Sequence, residues 1–249
     1  MTAWTPAFTG PTPRAMGDLG NAFQQAVGLV AAGDAALWQI IALSLRVSFT
    51  ATMIAAAIGL PLGALLAVAR FPGRQSVLVA LGALMGLPPV VAGLLIYILL
   101  SRSGPLGALG LLFTPTAMVV AQAVLITPIL AALTRQVLEG LWEEYAEQLR
   151  SLGSGPFQAT GTLLWDGRFA LLTVLLAGFG RASAEVGAVM IVGGNIEGFT
   201  RVMTTAIALE TSKGDLPLAL ALGIVLMTIV LGVNAAAQVL REASARWTG

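Results

Sequence analysis

The side chains most able to do chemistry in this chain lie in and just after the fourth of its long apolar runs. Arg181 and Glu185 are four residues apart, so on a helix they share one face and can pair, which lowers the cost of charges near hydrocarbon. Hydroxyl and amide groups accompany them, and such groups contact an anion without holding it as strongly as a full charge does. The candidate functional residues of this region are Arg181, Ser183, Glu185, Asn195, Thr200, Thr204 and Thr205.

Each of these residues also has a purely structural interpretation. The Arg181–Glu185 pair would equally stabilise a helix bundle or a dimer, and the cluster from Asn195 to Thr205 would equally form a solvated loop. Arg46, at the edge of the first apolar run, is expected to mark a helix flank or to extend its charge to the membrane surface. The sequence leaves these alternatives open.

A charged segment between the third and fourth apolar runs has the pattern of an amphipathic helix. Its apolar residues recur at three- and four-residue steps between acidic residues: Leu138, Leu141, Trp142, Tyr145, Leu149 and Leu152. Gly153 and the Gly155-Pro156 pair predict its end, because glycine adopts the left-handed conformation there and proline cannot continue a helix. A second short helix is predicted over Phe157–Trp165. Together the two helices would form a rigid lever, or else an ordinary interfacial helix that caps a bundle.

Membrane-spanning helices must position these segments. Apolar residues make up 57% of the 249 residues and charged residues 10%, and the mean hydropathy is +0.89. So little polar surface cannot cover a soluble protein of this size. We predict an all-α integral membrane protein with five transmembrane helices, each long enough at about 20 residues or more, at Val47–Ala69, Gln75–Ser101, Leu112–Thr134, Phe169–Ile196 and Leu216–Leu240.

Prolines are expected to affect the shape of the first two predicted spans. The first is expected either to begin earlier, because Leu37–Leu45 is also apolar, or to break near Gly59–Pro61. Pro88-Pro89 is expected to break or kink the second span.

The predicted spans divide the chain into three parts. Residues 1–36 form an extracytoplasmic segment without the pattern of a cleavable signal peptide, and a weakly amphipathic stretch at Ala22–Ala32 is expected to lie on the membrane surface. Residues 37–241 form the transmembrane domain, which includes the lever over 138–168. Residues 242–249 form a cytoplasmic tail.

Basic residues in the predicted loops indicate the orientation. One face carries Arg70, Arg74, Arg135, Arg150, Arg168, Arg241 and Arg246. The opposite face carries fewer, namely Arg14, Arg102, Arg201 and Lys213. Because cytoplasmic loops are enriched in Lys and Arg, the amino terminus is predicted outside and the carboxyl terminus in the cytoplasm.

The composition excludes several functions. A net charge of +1 offers no basic field for nucleic acid. The chain has no cysteine and no histidine, so it lacks the ligands of most zinc sites and the usual base of a serine triad. It also lacks the glycine-lysine phosphate loop of ATPases. We therefore predict no cofactor, no metal and no catalysis, and any ATP must be bound by another subunit.

The sequence resembles one family of membrane proteins. Glu147-Gln-Leu-Arg-Ser-Leu-Gly153 resembles the EAA loop of type I ATP-binding-cassette (ABC) importer permeases, in which Glu and Gly have the same spacing. Three further segments are similar to tungstate permeases: Arg181–Asn195, Thr200–Thr205 and Glu210–Asp215. The Arg181–Gly187 part of the first is also similar to molybdate and sulfate permeases. The resemblance extends roughly from Leu43 to the carboxyl end.

This resemblance implies a MetI-like permease fold and a homodimer in the plasma membrane of a bacterium or archaeon. It also implies a cytoplasmic ATPase and an extracytoplasmic binding protein that delivers a tetraoxyanion, tungstate ahead of molybdate. The residues implied in ATPase coupling are Glu147, Leu149, Leu152, Gly153 and Phe157. The candidate functional residues between Arg181 and Thr205 would then line the translocation pathway and contact the passing anion.

Other functions stay open at this stage. Within the family, the cargo could be molybdate or another anion. An ATP-independent channel or secondary transporter would also have five spans, but it would leave the EAA-like helix without a role. A membrane-embedded hydrolase would need a base, and only Glu185 or Lys213 lies near a serine or threonine, in no recognisable arrangement.

Overall fold

A computed structural model describes residues 13–33 and 35–247 of the chain. This part folds into ten α-helices and one short 3₁₀ turn at Gly107–Leu109, and it contains no strand. The helices are α1 (Pro13–Ala32), α2 (Ala35–Val68), α3 (Arg74–Met85), α4 (Pro89–Leu100), α5 (Pro115–Ser151), α6 (Pro156–Asp166), α7 (Arg168–Ser183), α8 (Gly187–Gly193), α9 (Met203–Lys213) and α10 (Leu216–Trp247). The prediction of an all-α fold is confirmed.

Three helices among the described residues are long and apolar enough to cross a membrane: α2, α5 and the Leu216–Val239 part of α10. Two bent pairs, α3 with α4 and α6 with α7, would raise the number to five if each pair formed one span. Helix α2, which contains the first predicted span, begins at Ala35, earlier than Val47, and continues through Pro61 without a break. The third continues past Thr134 to Ser151, so the amphipathic segment is an extension of α5.

The predicted span Gln75–Ser101 is not one straight helix. Helices α3 and α4 meet at an angle of 99°, because Gly86 ends α3 and Pro88-Pro89 begins α4. The proline pair therefore breaks this apolar run, as the sequence predicts.

The predicted span Phe169–Ile196 is likewise wrong as a continuous helix. Helix α7 ends at Ser183 and α8 begins at Gly187. Hydropathy does not reveal this interruption, because α7 and α8 are both mostly apolar. Before α7 the chain turns by 79° out of α6.

Close contact between α2 and α5 organises the centre of the bundle. Gly59 and Gly63, one helical turn apart on α2, face the backbone of α5. A Cβ atom on Gly63 would touch the Ala131 carbonyl oxygen and lie 2.8 Å from the Thr134 side chain. Small residues spaced four apart allow this approach, as in many membrane helix pairs.

Helix α1 packs onto the same bundle. Ala26 is fully buried in a cluster that includes Leu37, Met203 and Leu222. The placement of α1 at the membrane surface remains a prediction. The division of the chain into three parts also remains a prediction, since residues 1–12, 34 and 248–249 lie outside the described part. The tail predicted from residue 242 continues α10 as helix to Trp247.

Candidate functional site

A break between α7 and α8 brings together the charged pair predicted from the sequence. The Glu185 side chain in this break is 5% exposed, whereas Arg181 on the last turn of α7 is 42% exposed. Arg181 donates from Nη1 to Oε2 of Glu185 at 2.9 Å. The other carboxylate oxygen accepts from the backbone N–H of Ala188 at 3.2 Å. One carboxylate therefore neutralises an arginine and satisfies an amide at the start of α8.

Two further side chains hold the same break. Thr204 on α9 donates from Oγ1 to the backbone carbonyl of Glu185 at 2.8 Å. Gln122 on α5, which is 3% exposed, donates from Nε2 to the carbonyl of Ala182 at 3.1 Å. Oε1 of Gln122 and Oγ of Ser183 have no hydrogen-bond partner among the described residues. Gln122 is not among the residues predicted from the sequence, where its signal is an isolated amide inside an apolar run.

The polar residues that follow α8 are bonded to nearby backbone. Asn195 has a φ of 50° and donates from Nδ2 to the carbonyl of Thr205 at 3.4 Å. Thr200 donates to the carbonyl of Gly193 at 2.6 Å and accepts from the N–H of Ile196 at 2.9 Å. The Thr205 hydroxyl accepts from a backbone N–H at the start of α9 at 3.1 Å. The threonine hydroxyls of the predicted set are therefore occupied.

A cavity of about 680 Å³ opens at the end of the bundle where α2 begins. Arg46 and Arg201 both line it, together with Glu197 and Asp215. Arg201 lies 3.6 Å from Glu197 and 3.7 Å from Glu210, while its Nε has no partner in the described part of the chain. This cavity was not predictable from the sequence, because its walls come from segments far apart in the chain.

The helix, glycine turn and second helix predicted for residues 138–165 lie at the opposite end of the bundle. Helix α5 ends at Ser151, and Gly153 follows in the left-handed conformation with a φ of 73°. Helix α6 then covers the predicted Phe157–Trp165. We call Leu138–Trp165 the coupling segment. Its helix, glycine turn and second helix agree with the pattern that predicted them.

Side chains of the coupling segment point in two directions. Leu152 and Phe157, on either side of the glycine turn, are each 79% exposed, and Glu147 is also exposed. Leu149 is half-buried against a cluster that contains Leu138 and Leu163. The exposed residues leave an apolar knob at the turn, whereas Leu149 fixes the turn to the rest of the protein.

An ion cluster fastens the coupling segment to the start of α3. Glu139 accepts from Arg74 at 2.7 Å and from Arg135 at 2.6 Å. Arg74 also donates from Nε to the carbonyl of Leu66 at 2.9 Å. The start of α3 and the extension of α5 are therefore joined through one carboxylate. No local pattern in the sequence predicts this contact.

Comparisons with known proteins place the chain in a family. The tungstate uptake system permease protein TupB of Peptoclostridium acidaminophilum is 42% identical over 224 residues, which cover 90% of this chain and 98% of that protein. A probable anion ABC transporter permease of Haloferax volcanii is 40% identical over 80% of this chain and 88% of its own length. The chain belongs to the permease family of ABC transporters.

More distant comparisons agree with this membership. The molybdenum transport permease ModB of Escherichia coli K12 is 28% identical to this permease, over 72% of this chain and 82% of its own. A chain of the methionine ABC transporter MetNI, solved in inward-facing conformations, has a TM-score of 0.59 at 20% identity and matches 83% of this chain and 95% of its own. This likeness shows the fold alone. No protein-family profile matches the permease.

Proposed function

We propose that this chain is the membrane-spanning permease subunit of an ABC importer for a tetraoxyanion, most directly tungstate. The observation that carries the proposal is the 42% identity to a tungstate uptake permease over 90% of the chain. Molybdate or another anion is the alternative cargo, since a molybdenum permease is 28% identical over 72% of the chain. ATP hydrolysis is assigned to a separate subunit.

The coupling segment is the proposed contact with that ATPase. Leu152 and Phe157 present an exposed apolar knob, which suits insertion into a groove of a protein partner. Glu147 is exposed beside them and is available for a basic group of the ATPase. Gly153 permits the tight turn, and Leu149 transmits movement of the knob to the cluster beneath it.

The break between α7 and α8 is proposed to border the translocation pathway. Arg181 is the exposed member of the predicted set, so it can meet a passing anion, while its pairing with Glu185 limits how tightly it holds one. Thr204 contributes indirectly, because its hydroxyl fixes the backbone of Glu185. The surrounding turns are shaped by the remaining residues of the predicted set, namely Ser183, Asn195, Thr200 and Thr205.

The assembly is proposed to be a homodimer with two ATPases and an extracytoplasmic binding protein. It would lie in a bacterial or archaeal plasma membrane with the amino terminus outside and the carboxyl terminus in the cytoplasm. The loop at Arg70–Arg74 and the coupling segment lie at the same end of the bundle. Both carry basic residues, which favour the cytoplasmic side of the membrane and so support this orientation.

Uptake by the complete transporter tests the cargo. The permease, its ATPase and its binding protein are reconstituted in liposomes, and ATP-dependent uptake of tungstate, molybdate and sulfate is measured. Tungstate is expected to be taken up fastest. A Thr204→Val variant is expected to lower all three rates at an unchanged ratio, whereas Thr204→Ser, which keeps the hydroxyl, stays near wild type.

Two results would contradict the proposal. Uptake that proceeds without ATP would identify a channel or secondary transporter. ATP-dependent uptake in which sulfate or another substrate is strongly preferred over tungstate and molybdate would overturn the cargo assignment.

A further inference from the structure

An apolar groove lies on the outside of the bundle near the coupling segment. It has a volume of about 670 Å³ and runs between α2, through Ala57 and Leu60, and α7, through Leu172 and Leu175. Arg168, at the first turn of α7, is the charged residue in its lining. The groove therefore has apolar walls and one positively charged side chain, Arg168, at one end.

The guanidinium group of Arg168 has N–H donors that make no hydrogen bond within the described part of the chain. Its guanidinium group stacks on the rings of Trp165 and Phe169, with the central carbon 5.0 and 4.7 Å from their centroids. One nitrogen, Nη1, donates to the carbonyl of Trp165 at 2.8 Å. No carboxylate pairs with Arg168 in the described part of the chain. The guanidinium fork, which matches phosphate oxygens, is held in place without a counter-ion.

The Arg168 end of the groove is expected to lie at the membrane surface. Helices α6 and α7 meet at 79°, so if α7 crosses the bilayer, α6 lies nearly along its surface. Trp165, at the end of α6, is 72% exposed, and tryptophan is enriched at the depth of lipid headgroups. From Arg168 to Leu175 the groove then extends about 10 Å along α7 into the hydrocarbon region, at 1.5 Å per residue.

We propose that this groove binds an anionic phospholipid, with an acyl chain between α2 and α7 and the phosphate group on Arg168. A soluble partner such as the ATPase would not reach walls that continue into hydrocarbon. Free phosphate would gain nothing from the apolar channel. The inference rests on the proposed membrane position of α7, but it is independent of the ion that is transported.

Fluorescence quenching by brominated lipids tests this site on the full chain. The permease is placed in phosphatidylcholine nanodiscs that contain brominated phosphatidylglycerol or brominated phosphatidylcholine at equal mole fraction. Subtraction of the signal of a Trp165→Phe variant isolates the emission of Trp165. Brominated phosphatidylglycerol is expected to quench this emission several-fold more efficiently than brominated phosphatidylcholine.

Charge variants identify the group that recognises the lipid. Arg168→Gln is expected to abolish the preference for phosphatidylglycerol, and Arg168→Lys to keep most of it. Arg150→Gln is the matched control, because Arg150 also stacks on a tryptophan, 5.3 Å from the ring of Trp142, but does not line the groove. This control is expected to leave the preference unchanged.

Three results would overturn the proposal. Equal quenching by the two brominated lipids would show that no headgroup is recognised. A preference that survives Arg168→Gln would place the anionic lipid elsewhere. Absence of quenching by either lipid would show that a second copy of the chain covers the groove. None of these results depends on tungstate uptake, so failure here and failure of the proposed cargo are distinguishable.

Discussion

Gly153 ends helix α5 in a left-handed conformation, at a φ of 73°. A residue with a Cβ adopts this conformation only at a cost of about 1–2 kcal/mol. Two backbone bonds close the turn, from the N–H of Gly153 to Arg150 and from the N–H of Ser154 to Leu149, each at 3.0 Å. These bonds set the direction in which α6 leaves, and therefore where the exposed knob sits.

Replacement of Gly153 by valine is expected to disturb this turn and to lower stimulation of the ATPase by the permease several-fold. A Cβ would meet no atom within 4 Å there, so the effect comes from backbone strain and not from a clash. The measurement is ATP hydrolysis by the ATPase with and without the purified permease, together with co-purification of the two.

Gly161→Val is the control, because it adds the same side chain at an exposed position of α6 where the Cβ also meets nothing within 4 Å. Wild-type stimulation in Gly153→Val would refute a coupling role for this turn, whereas equal losses in both variants would trace the effect to bulk on this surface.

The α2–α5 pair shows how elements of this bundle depend on small residues. Gly63 faces the backbone of α5 so closely that a Cβ would collide with Ala131 and Thr134. In contrast, Gly82 on α3 is exposed, and its Cβ would meet nothing within 4 Å. The same residue type therefore serves helix packing at one position and has no packing role at the other.

Gly63→Ala is expected to destabilise the permease by about 1–3 kcal/mol, since overpacking forces backbones apart. Gly82→Ala is expected to have little effect or to stabilise α3 by about 0.5–1 kcal/mol through its higher helix propensity. Thermal denaturation of both variants in detergent, compared with wild type, measures the difference. A Gly63→Ala protein as stable as Gly82→Ala would show that α2 and α5 are not in backbone contact.

The whole molecule has two distinct ends. The Arg74–Glu139 ion pair places the α2–α3 loop beside the coupling segment at one end. At the other end, the cavity lined by Arg46 and Arg201 also contains Asp215, which precedes α10. The two ends contain the loops that the basic residues predict on opposite faces of the membrane. Which of the two ends lies in the cytoplasm remains a prediction.

Labelling of single cysteines tests the orientation. The chain has no cysteine of its own, and the exposed serines Ser76 and Ser212 lie on α3 and α9 at the two ends. In intact cells a membrane-impermeant thiol reagent is expected to label Ser212→Cys and to leave Ser76→Cys unlabelled until the membrane is opened. The reverse pattern would invert the predicted topology, and labelling of both from outside would rule out the proposed spans.

Several features of the fold were predictable because they depend on local sequence. Apolar composition placed the chain in a membrane, and the three-and-four spacing with Gly153 and Pro156 predicted the helix, turn and helix of the coupling segment. The break at Pro88-Pro89 was predictable for the same reason. The break after Ser183 was not, since no proline marks it and both flanking stretches are apolar.

Sequence alone determined the class of protein, the family and the turn chemistry of the coupling segment, because hydropathy and helix endings are properties of neighbouring residues. Tertiary structure decided which polar groups are free. In the folded protein the Thr204 hydroxyl donates to the Glu185 carbonyl, Gln122 is buried against α7, and Arg168 lies at the end of an apolar groove. The partner of a polar group depends on which distant helices pack together, and residues that are close only after folding leave no local pattern to find.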